Sequence, residues 1–228
     1  MAVEVCADAE AVAIAGAARV REAAGEAIEW RGRFRIAVSG GRTPARLYQL
    51  LAADDGLSWD RVEIGFADER AVPPAHADSN FRLLTEALLA PLGDRAPAVH
   101  RLIGEAADLR EAALAGAPWF EEPLDLLLLG IGEDGHVASL FPRSALLAER
   151  VRRVAAVFDS PKPPARRLTI TPRVITEARR VVVIATGREK TLAVAQALAA
   201  EGSVAECPAR MAREADWLID RAAATALR

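Results

Sequence analysis

The stretch that decides the fold is residues 34–53, FRIAVSGGRTPARLYQLLAA. Its first five residues alternate in a way that predicts a strand, and residues 39–43, SGGRT, follow as a glycine turn. Thr43 can cap a helix and Pro44 suits its first position, so residues 45–53 are predicted to be helical. The stretch therefore predicts a strand, a glycine loop and a helix, which is the repeating unit of α/β folds.

The rest of the chain alternates in the same way. Apolar residues at helical spacing predict a helix over residues 7–30, which Gly32 interrupts. The same criteria predict strands at 62–67, 99–102, 124–129, 154–158, 180–186 and 217–220, and helices at 80–90, 105–116, 189–200 and after residue 220. Because a parallel neighbour needs a crossover, the alternation predicts one α/β domain over 1–228 with a mostly parallel sheet covered on both faces.

Composition and charge exclude several classes of partner. The 29 basic and 32 acidic residues of the 228-residue chain leave a formal net charge of −3 and are spread along the sequence. Without a long run of one sign, the chain offers no footprint for nucleic acid or an anionic membrane. Acidic residues near the N-terminus, and the absence of an apolar run of roughly 18 residues, favour an unexported, cytoplasmic protein.

Metal and disulfide chemistry have little support in the sequence. Cys6 and Cys207 lie far apart, and the histidines His76, His100 and His136 are scattered. A zinc site or a disulfide framework needs such residues at characteristic spacing. We therefore expect neither a metal nor a cofactor.

Four polar segments directly follow predicted strands. They are residues 39–41, 68–70, 130–136 and 186–190. In parallel α/β sheets, ligands bind beyond the carboxyl ends of the strands. We therefore expect one cleft to gather all four segments.

The loop at residues 39–43 has the features of a phosphate cradle. Gly40 and Gly41 let backbone amides approach an anion, Ser39 and Thr43 add hydroxyl donors, and the helix N-terminus behind them carries partial positive charge. The same residues also fit an ordinary strand-to-helix turn, with glycine for steric reasons and threonine and proline for capping. The loop by itself leaves both interpretations open.

Residues 129–135, LGIGEDG, match the G-x-G-x-x-G pattern of dinucleotide-binding loops. Two features argue against a dinucleotide: Glu133 and Asp134 would face its pyrophosphate, and Pro142 would interrupt the helix that should follow. We interpret the segment instead as a loop that presents His136, a candidate general base that Asp134 orients. A histidine beside glycines can also merely satisfy local backbone groups.

Further charged residues stand at the ends of predicted elements. Asp68 and Arg70 offer a carboxylate and a guanidinium to a polar substrate, and Arg167 and Lys190 are cations of the kind that a bound phosphate needs. Lys162 and Lys190 are the only lysines among the 29 basic residues. All these groups are also compatible with solvated surface positions, and a surface position is what we expect for Lys162 in its proline-rich loop.

Together and in this order, these blocks resemble the 6-phosphogluconolactonase family. The resemblance spans nearly the whole chain and rests on residues 39–44 (SGGRTP), 68–70 (DER) with Ser79-Asn80, 130–142 (GIGEDGHVASLFP), 161–164 (PKPP) leading to Arg167-Leu-Thr, and 187–190 (GREK). The glycine and Asp-Gly-His blocks are shared with glucosamine-6-phosphate deaminases and sugar-phosphate isomerases of the same superfamily. Residues 68–70 and 138–142, ASLFP, favour the lactonase.

The resemblance implies a three-layer αβα fold with a Rossmann-like sheet. It implies hydrolysis of 6-phosphogluconolactone to 6-phosphogluconate in the pentose phosphate pathway, without metal or cofactor. The sequence leaves the oligomeric state open between a monomer and a small homo-oligomer. The resemblance makes His136 the base and places Asp68 and Arg70 at the sugar end. Around the phosphate it places Ser39, Gly40, Gly41, Arg42, Thr43, Arg167 and Lys190.

Two other functions fit the same superfamily. An isomerase or deaminase would act on an amino-sugar phosphate, and a deaminase would release ammonia from glucosamine 6-phosphate. A sugar-phosphate sensor would bind its ligand without turnover. We expect such a regulator to carry a DNA-binding segment, and none precedes residue 33.

Overall fold

A computed structural model describes residues 2–227. The strands in this range are β1 (Val3–Cys6), β2 (Phe34–Val38), β3 (Val62–Phe66), β4 (Asp68–Arg70), β5 (Ala98–His100), β6 (Leu126–Gly130), β7 (Val154–Val157), β8 (Arg167–Ile170), β9 (Val181–Ala185) and β10 (Asp216–Asp220). The helices are α1 (Ala9–Arg31), α2 (Arg42–Ala52), α3 (Asn80–Leu84), α4 (Ala90–Leu92), α5 (Leu109–Gly116), α6 (Pro172–Glu177) and α7 (Thr191–Leu198). A π-helical segment, Thr85–Leu89, joins α3 to α4.

Seven of the strands described in residues 2–227 form one parallel sheet in the order β1-β10-β9-β6-β2-β3-β5. At its centre, Ile36 of β2 pairs with Ile64 of β3 and with Leu126 of β6. Helices flank this sheet, so the predicted α/β fold class is confirmed. One hydrophobic core extends from Cys6 to Ala223, and the single domain over 1–228 stays a prediction.

Alternation of side chains along the central strands explains why helices cover both faces of the sheet. Phe34 and Ile36 of β2 lie on the face that packs against α2, where Leu47 and Leu51 meet them. On the other face, a Cβ at Gly65 would overlap the ring of Trp119, which follows α5. Glycine is therefore required on β3 for this second layer to approach.

Strand β6 is buried along its whole apolar length. The side chains of residues 126–129 are at most 1% exposed, and burying one leucine contributes about 1.5–3 kcal/mol. Its apolar side chains match the prediction of a strand buried on both faces. The loop that carries His136 thus starts from a firmly packed element.

The structure differs from the sequence prediction at residues 68–70. The triplet is not the end of the preceding strand but a separate strand, β4, which pairs antiparallel with β8, and β8 pairs antiparallel with β7. The chain changes sheets at Ala67, whose N–H donates to Val38 O and whose carbonyl accepts from Ile170 N, both at 2.8 Å. The cleft therefore has a second small sheet as one wall.

Two helix predictions at the periphery were also wrong, and one strand was missed. The segment after residue 220 forms turns rather than a helix, because the carboxylate of Asp220 accepts the N–H of Ala223 at 2.7 Å. Strand β1 was not predicted, since only its last residue is buried. The helix expected over 105–116 begins at Leu109, where Asp108 caps it by accepting from Arg110 N at 2.7 Å.

Candidate active site

One cleft of about 610 Å³ opens beyond the carboxyl ends of the central strands. All four polar segments that were predicted to meet there contribute to it. Its walls include residues 39–44, Asp68, Arg70, 130–133, His136, Lys162, Arg167, 184–187, Glu189, Lys190 and Asp220. The prediction of a shared cleft is therefore confirmed.

Ser39 fixes the start of the glycine loop after β2. Its Oγ donates to Leu128 O at 3.0 Å, and its carbonyl accepts the Tyr48 hydroxyl at 2.6 Å. Burial raises the pKa of Tyr48 far above its usual value, which keeps that hydroxyl a neutral donor. The Ser39 proton is thus used inside the protein, and a direct contact between Ser39 and a phosphate stays a prediction.

The two glycines that follow are required by the geometry of the loop. A Cβ at Gly40 would overlap the amide oxygen of Asn80, and Gly41 has φ 122°, a conformation that L-residues rarely adopt. Gly41 is also the N-cap of α2. The first N–H groups of a helix have no intrahelical acceptor, so those of Arg42 and Thr43 are suited to binding an anion at the cleft.

A second turn faces this loop across the cleft. Gly187, with φ 96°, follows β9, and its N–H donates to both carboxylate oxygens of Asp220 at 3.0 and 3.1 Å. The hydroxyls of Thr43 and Thr186 lie 2.6 Å apart and connect the two turns. The two sides of the cradle are therefore held at a fixed distance.

Lys190 supplies positive charge to the second turn. Burial lowers the pKa of its ammonium, and the nearby charge of Lys162 adds to that effect, while the carboxylate of Glu133 opposes it. Both lysines line the cleft. The helix N-terminus and the ammonium of Lys190 give this side of the cleft the positive charge that a phosphate dianion needs.

His136 is held by a carboxylate of its own loop. Its Nδ1 lies 2.5 Å from Asp134 Oδ1, and its ring packs on Phe141 with 4.6 Å between ring centroids. Burial acts to raise the pKa of Asp134, but the hydrogen bond and charge of His136, with Lys162, hold it well below its usual range. Nδ1 is thus fixed and Nε2 is left to exchange a proton with a ligand.

Two glycines of the G-x-G-x-x-G pattern, Gly132 and Gly135, shape the loop that carries this histidine. A Cβ at Gly132 would overlap His136 Nδ1, and the Gly132 N–H donates to His136 O at 2.8 Å. Gly135 has φ 80° and packs on Cys207. The interpretation of the loop as a mount for His136 thus has a steric basis.

Asp68 is buried and fully engaged. Its Oδ2 accepts the Ser139 hydroxyl at 2.7 Å, and its Oδ1 accepts the Asn80 amide at 3.1 Å. Arg167 NH1 lies 3.9 Å from Oδ2. These contacts hold the Asp68 carboxylate in one orientation at the edge of the cleft.

The next two residues of β4 point to opposite sides, as in any strand. Glu69 turns away from the cleft and accepts the backbone N–H groups of Arg70, Asn80 and Phe81, each at 2.8 Å. Burial raises the pKa of Glu69, and these hydrogen bonds oppose it. Arg70 lines the cleft and donates to Asp78 O at 2.7 Å.

Arg167 lies in the cleft wall, but its donors are largely used by the protein. Nε donates to Pro164 O, and NH2 donates to Lys162 O and Pro163 O, all at 3.0 Å. NH1 donates to Ser139 Oγ at 3.4 Å. Its main structural role is therefore to hold the proline-rich loop, and any phosphate contact remains a prediction.

Comparison with known sequences identifies the family. The family described as glucosamine-6-phosphate isomerases/6-phosphogluconolactonase matches residues 7–219. The chain belongs to this family. The glucosamine-6-phosphate isomerase/6-phosphogluconolactonase match covers every residue of the cleft wall except Asp220.

Individual members of the family are also similar. The protein of Streptomyces coelicolor named 6-phosphogluconolactonase is 35% identical, with 96% of this chain and 92% of that protein covered. A Saccharomyces cerevisiae protein named 6-phosphogluconolactonase 3 is 39% identical, with 72% of each chain covered.

Solved structures share the fold. A 6-phosphogluconolactonase of Shewanella baltica gives a TM-score of 0.86 at 28% identity, with 96% of this chain and 97% of that chain covered. The Trypanosoma brucei enzyme of that name gives 0.85 at 28% identity, with 100% and 98% covered. A monomeric glucosamine-6-phosphate deaminase gives 0.82 at 21% identity, with both chains covered completely, which shows a common fold alone.

Sequence reasoning missed two residues of this family member's cleft. Lys162 was expected on the surface, and its side chain is 38% exposed, but its ammonium also lies 3.8 Å from Asp134 Oδ1 and lines the cleft. Asp220 was not considered, because only the tertiary contact with Gly187 reveals it. His76 and His100 lie outside the cleft wall: His76 accepts Asp78 N locally, and His100 stacks on Trp119.

Residues 2–227 of this family member offer neither a metal cluster nor a membrane-spanning helix. No three histidine, cysteine, aspartate or glutamate side chains converge there as a metal site would require. None of the helices in that range combines the length and apolarity needed to cross a bilayer.

Proposed function

We propose that the chain hydrolyses 6-phosphogluconolactone to 6-phosphogluconate, as a cytoplasmic step of the pentose phosphate pathway. The observation that carries the proposal is the placement of His136, fixed through Nδ1 by Asp134, in the same cleft as an anion cradle on α2. The relatives named 6-phosphogluconolactonase support the same reaction. We propose a monomer or small homo-oligomer as the working form.

In the proposed reaction His136 Nε2 takes a proton from water while the water oxygen attacks the lactone carbonyl. The tetrahedral intermediate then breaks its bond to the ring oxygen, which receives the proton from the imidazolium. A δ-lactone is an activated ester, so general-base assistance, typically about 10²–10⁴-fold, suffices without a covalent nucleophile. Asp134 stabilises the imidazolium that forms between the two steps.

The phosphate end of the substrate binds at the α2 N-terminus. We propose that the N–H groups of Arg42 and Thr43, the close approach at Gly40 and Gly41, and the ammonium of Lys190 hold it there. Ser39 and Arg167 support the same region from behind. Fixing the ring at a distance from the carbonyl lowers the entropic part of the barrier.

The sugar end lies toward β4. Gly132 N–H already donates to His136 O, which removes it as a donor to the oxyanion. We propose that the Arg70 guanidinium stabilises the charge that develops on the carbonyl oxygen. Asp68 fixes that side of the site by holding Ser139 and Asn80.

The test of this function is acid release from freshly made 6-phosphogluconolactone, with spontaneous hydrolysis subtracted. We expect saturable catalysis and no ammonia from glucosamine 6-phosphate. A rate no greater than the spontaneous one, with tight binding of 6-phosphogluconate, would indicate a sensor. Ammonia release would indicate a deaminase.

The phosphate cradle makes a separate prediction. Lys190→Ala should raise KM for 6-phosphogluconolactone by roughly 10- to 100-fold with a smaller effect on kcat, because a hydrogen bond to a charged group contributes mainly to binding. Unphosphorylated gluconolactone should be a poor substrate of the unmodified enzyme. Arg188→Ala is the matched control, since Arg188 is exposed in the same turn but does not line the cleft. Equal efficiency on both lactones would contradict the cradle.

Metal independence is also testable. Since the proposed mechanism uses water, an imidazole and a guanidinium, activity should survive exhaustive chelation unchanged. Loss of activity on chelation, with recovery on adding a divalent ion, would contradict this prediction. A thermal unfolding scan of the chelated protein serves as the control for general destabilisation.

A further inference from the structure

Lys162 occupies a position in the cleft that the proposed mechanism does not use. Its ammonium lies 3.8 Å from Asp134 Oδ1, the same oxygen that lies 2.5 Å from His136 Nδ1. Among the lysines and arginines of residues 2–227, only Lys162 has a side-chain nitrogen within 4.0 Å of an Asp134 carboxylate oxygen. An ammonium, a carboxylate and an imidazole thus lie in a row, from Lys162 through Asp134 to His136.

The loop that carries Lys162 is anchored rather than loosely placed. The Lys162 carbonyl accepts both Arg167 NH2 at 3.0 Å and Ser160 Oγ at 2.8 Å, and Lys162 N–H donates to Ser160 Oγ at 3.2 Å. Arg167 is 3% exposed, and its guanidinium also donates to the carbonyls of Pro163 and Pro164. A buried arginine therefore fixes the backbone from which the ammonium reaches the cleft.

We propose that Lys162 is a positioning residue that acts through Asp134 to keep the imidazole of His136 unprotonated at neutral pH. The inference rests on the proposed function, in which that imidazole accepts a proton from water. It assigns a role to a residue whose sequence context indicates only a solvated cation.

The physical reason is a balance of charges around one oxygen. A carboxylate in contact with an imidazole favours the protonated ring. Asp134 alone would therefore leave His136 protonated over a wider pH range and make it a weaker base at neutrality. A cation beside the same carboxylate offsets this while leaving the hydrogen bond that orients the ring.

Other charged groups face the ring from the surrounding elements. Glu133 stands on the same loop and Lys190 on the turn after β9, and the charge of Lys190 interacts with those of Glu133, Lys162 and Asp134. Asp68 on β4 and Arg167 on β8 carry opposite charges 3.9 Å apart, which largely cancel. Burial raises the pKa of Cys207 behind the loop, so that thiol is neutral. Lys190 interacts with Asp134 from farther away, and Lys162 is the cation within 4.0 Å of its carboxylate.

The test follows the imidazole directly. Protein labelled with ¹³C-histidine is titrated by NMR, and the His136 signal is assigned by its loss in His136→Asn. In Lys162→Met the titration midpoint of His136 should rise by about 0.5–1 pH unit, as expected for removing one partly screened charge. Lys162→Arg should restore the wild-type midpoint. Arg166→Met is the matched control, because it removes an exposed cation of the same loop that does not line the cleft.

The pH dependence of kcat/KM should show the same shift as the NMR titration. In Lys162→Met the acid limb of kcat/KM should move to higher pH by the same interval, so the loss of activity is greatest below neutrality. An unchanged NMR midpoint, or an equal shift in Lys162→Arg, would overturn the inference. So would a raised KM with an unmoved acid limb, which would make Lys162 a substrate ligand. The titration needs no turnover, so it distinguishes failure of this inference from failure of the proposed lactonase activity.

Discussion

His136→Asn should lower kcat by about 10²-fold or more while leaving 6-phosphogluconate binding largely intact. Asparagine keeps a polar side chain that can still meet Asp134, but it cannot accept a proton at neutral pH. The phosphate cradle on α2 and the turn at Gly187 are untouched by the substitution. Steady-state kinetics with spontaneous hydrolysis subtracted, together with calorimetric titration of 6-phosphogluconate, separate the two effects.

His76→Asn is the matched control for that substitution. His76 is exposed, lies outside the cleft wall and makes only a local hydrogen bond with the backbone N–H of Asp78. The His76→Asn variant should therefore retain wild-type kcat. If His136→Asn weakened product binding and left kcat near wild type, His136 would be a binding residue and Asp68 would need the same test.

Gly132→Ala should cost nearly as much as losing the histidine itself. The added Cβ would overlap His136 Nδ1, so the ring must leave its position beside Asp134. A displacement of about 1 Å at a catalytic group can cost roughly 10²-fold in rate. The backbone at Gly132 lies outside the left-handed region, so alanine is tolerated there by the main chain, and the loss should appear in kcat rather than in stability.

Gly130→Ala is the control within the same motif. A Cβ at Gly130 meets nothing within 4 Å, so the imidazole should stay in place and kcat should change little. Wild-type kcat in Gly132→Ala would show that the imidazole contact with Asp134 is not needed for turnover. A large loss in both variants would point instead to a general requirement for glycine in this loop.

Local sequence patterns were sufficient to predict the frame of the fold. The apolar run at residues 124–129 and the strand-loop-helix unit at 34–53 express rules of burial and capping that act within a few residues. The parallel sheet follows because two successive strands can pair in parallel only through a crossover, which is usually a helix. Strand ends then predict where the cleft must lie.

Tertiary partners explain what the sequence could not predict. The triplet Asp68–Arg70 becomes a separate strand only because β8, about a hundred residues later, pairs with it. Arg167 was predicted to bind phosphate on the strength of its charge, which stays a prediction, but the charge did not reveal that Nε and NH2 donate to carbonyls of the proline-rich loop. Lys162 enters the cleft through that same contact, which no local pattern encodes.

The candidate base was accessible to sequence reasoning for a chemical reason. A histidine two residues after an aspartate, in a glycine loop after a buried strand, can be proposed as a base from its proton affinity near neutral pH and its acidic neighbour. The steric reason for Gly132 was not accessible, because it depends on where the imidazole ring of His136 comes to rest.

The most direct measurement is kcat as a function of pH for the wild type beside His136→Asn, each corrected for spontaneous hydrolysis at every pH. We expect wild-type kcat to fall on the acid side as one group becomes protonated, and the small residual kcat of the variant to lack that limb. An acid limb that persists unchanged in His136→Asn would contradict the assignment of His136 as the base that activates water.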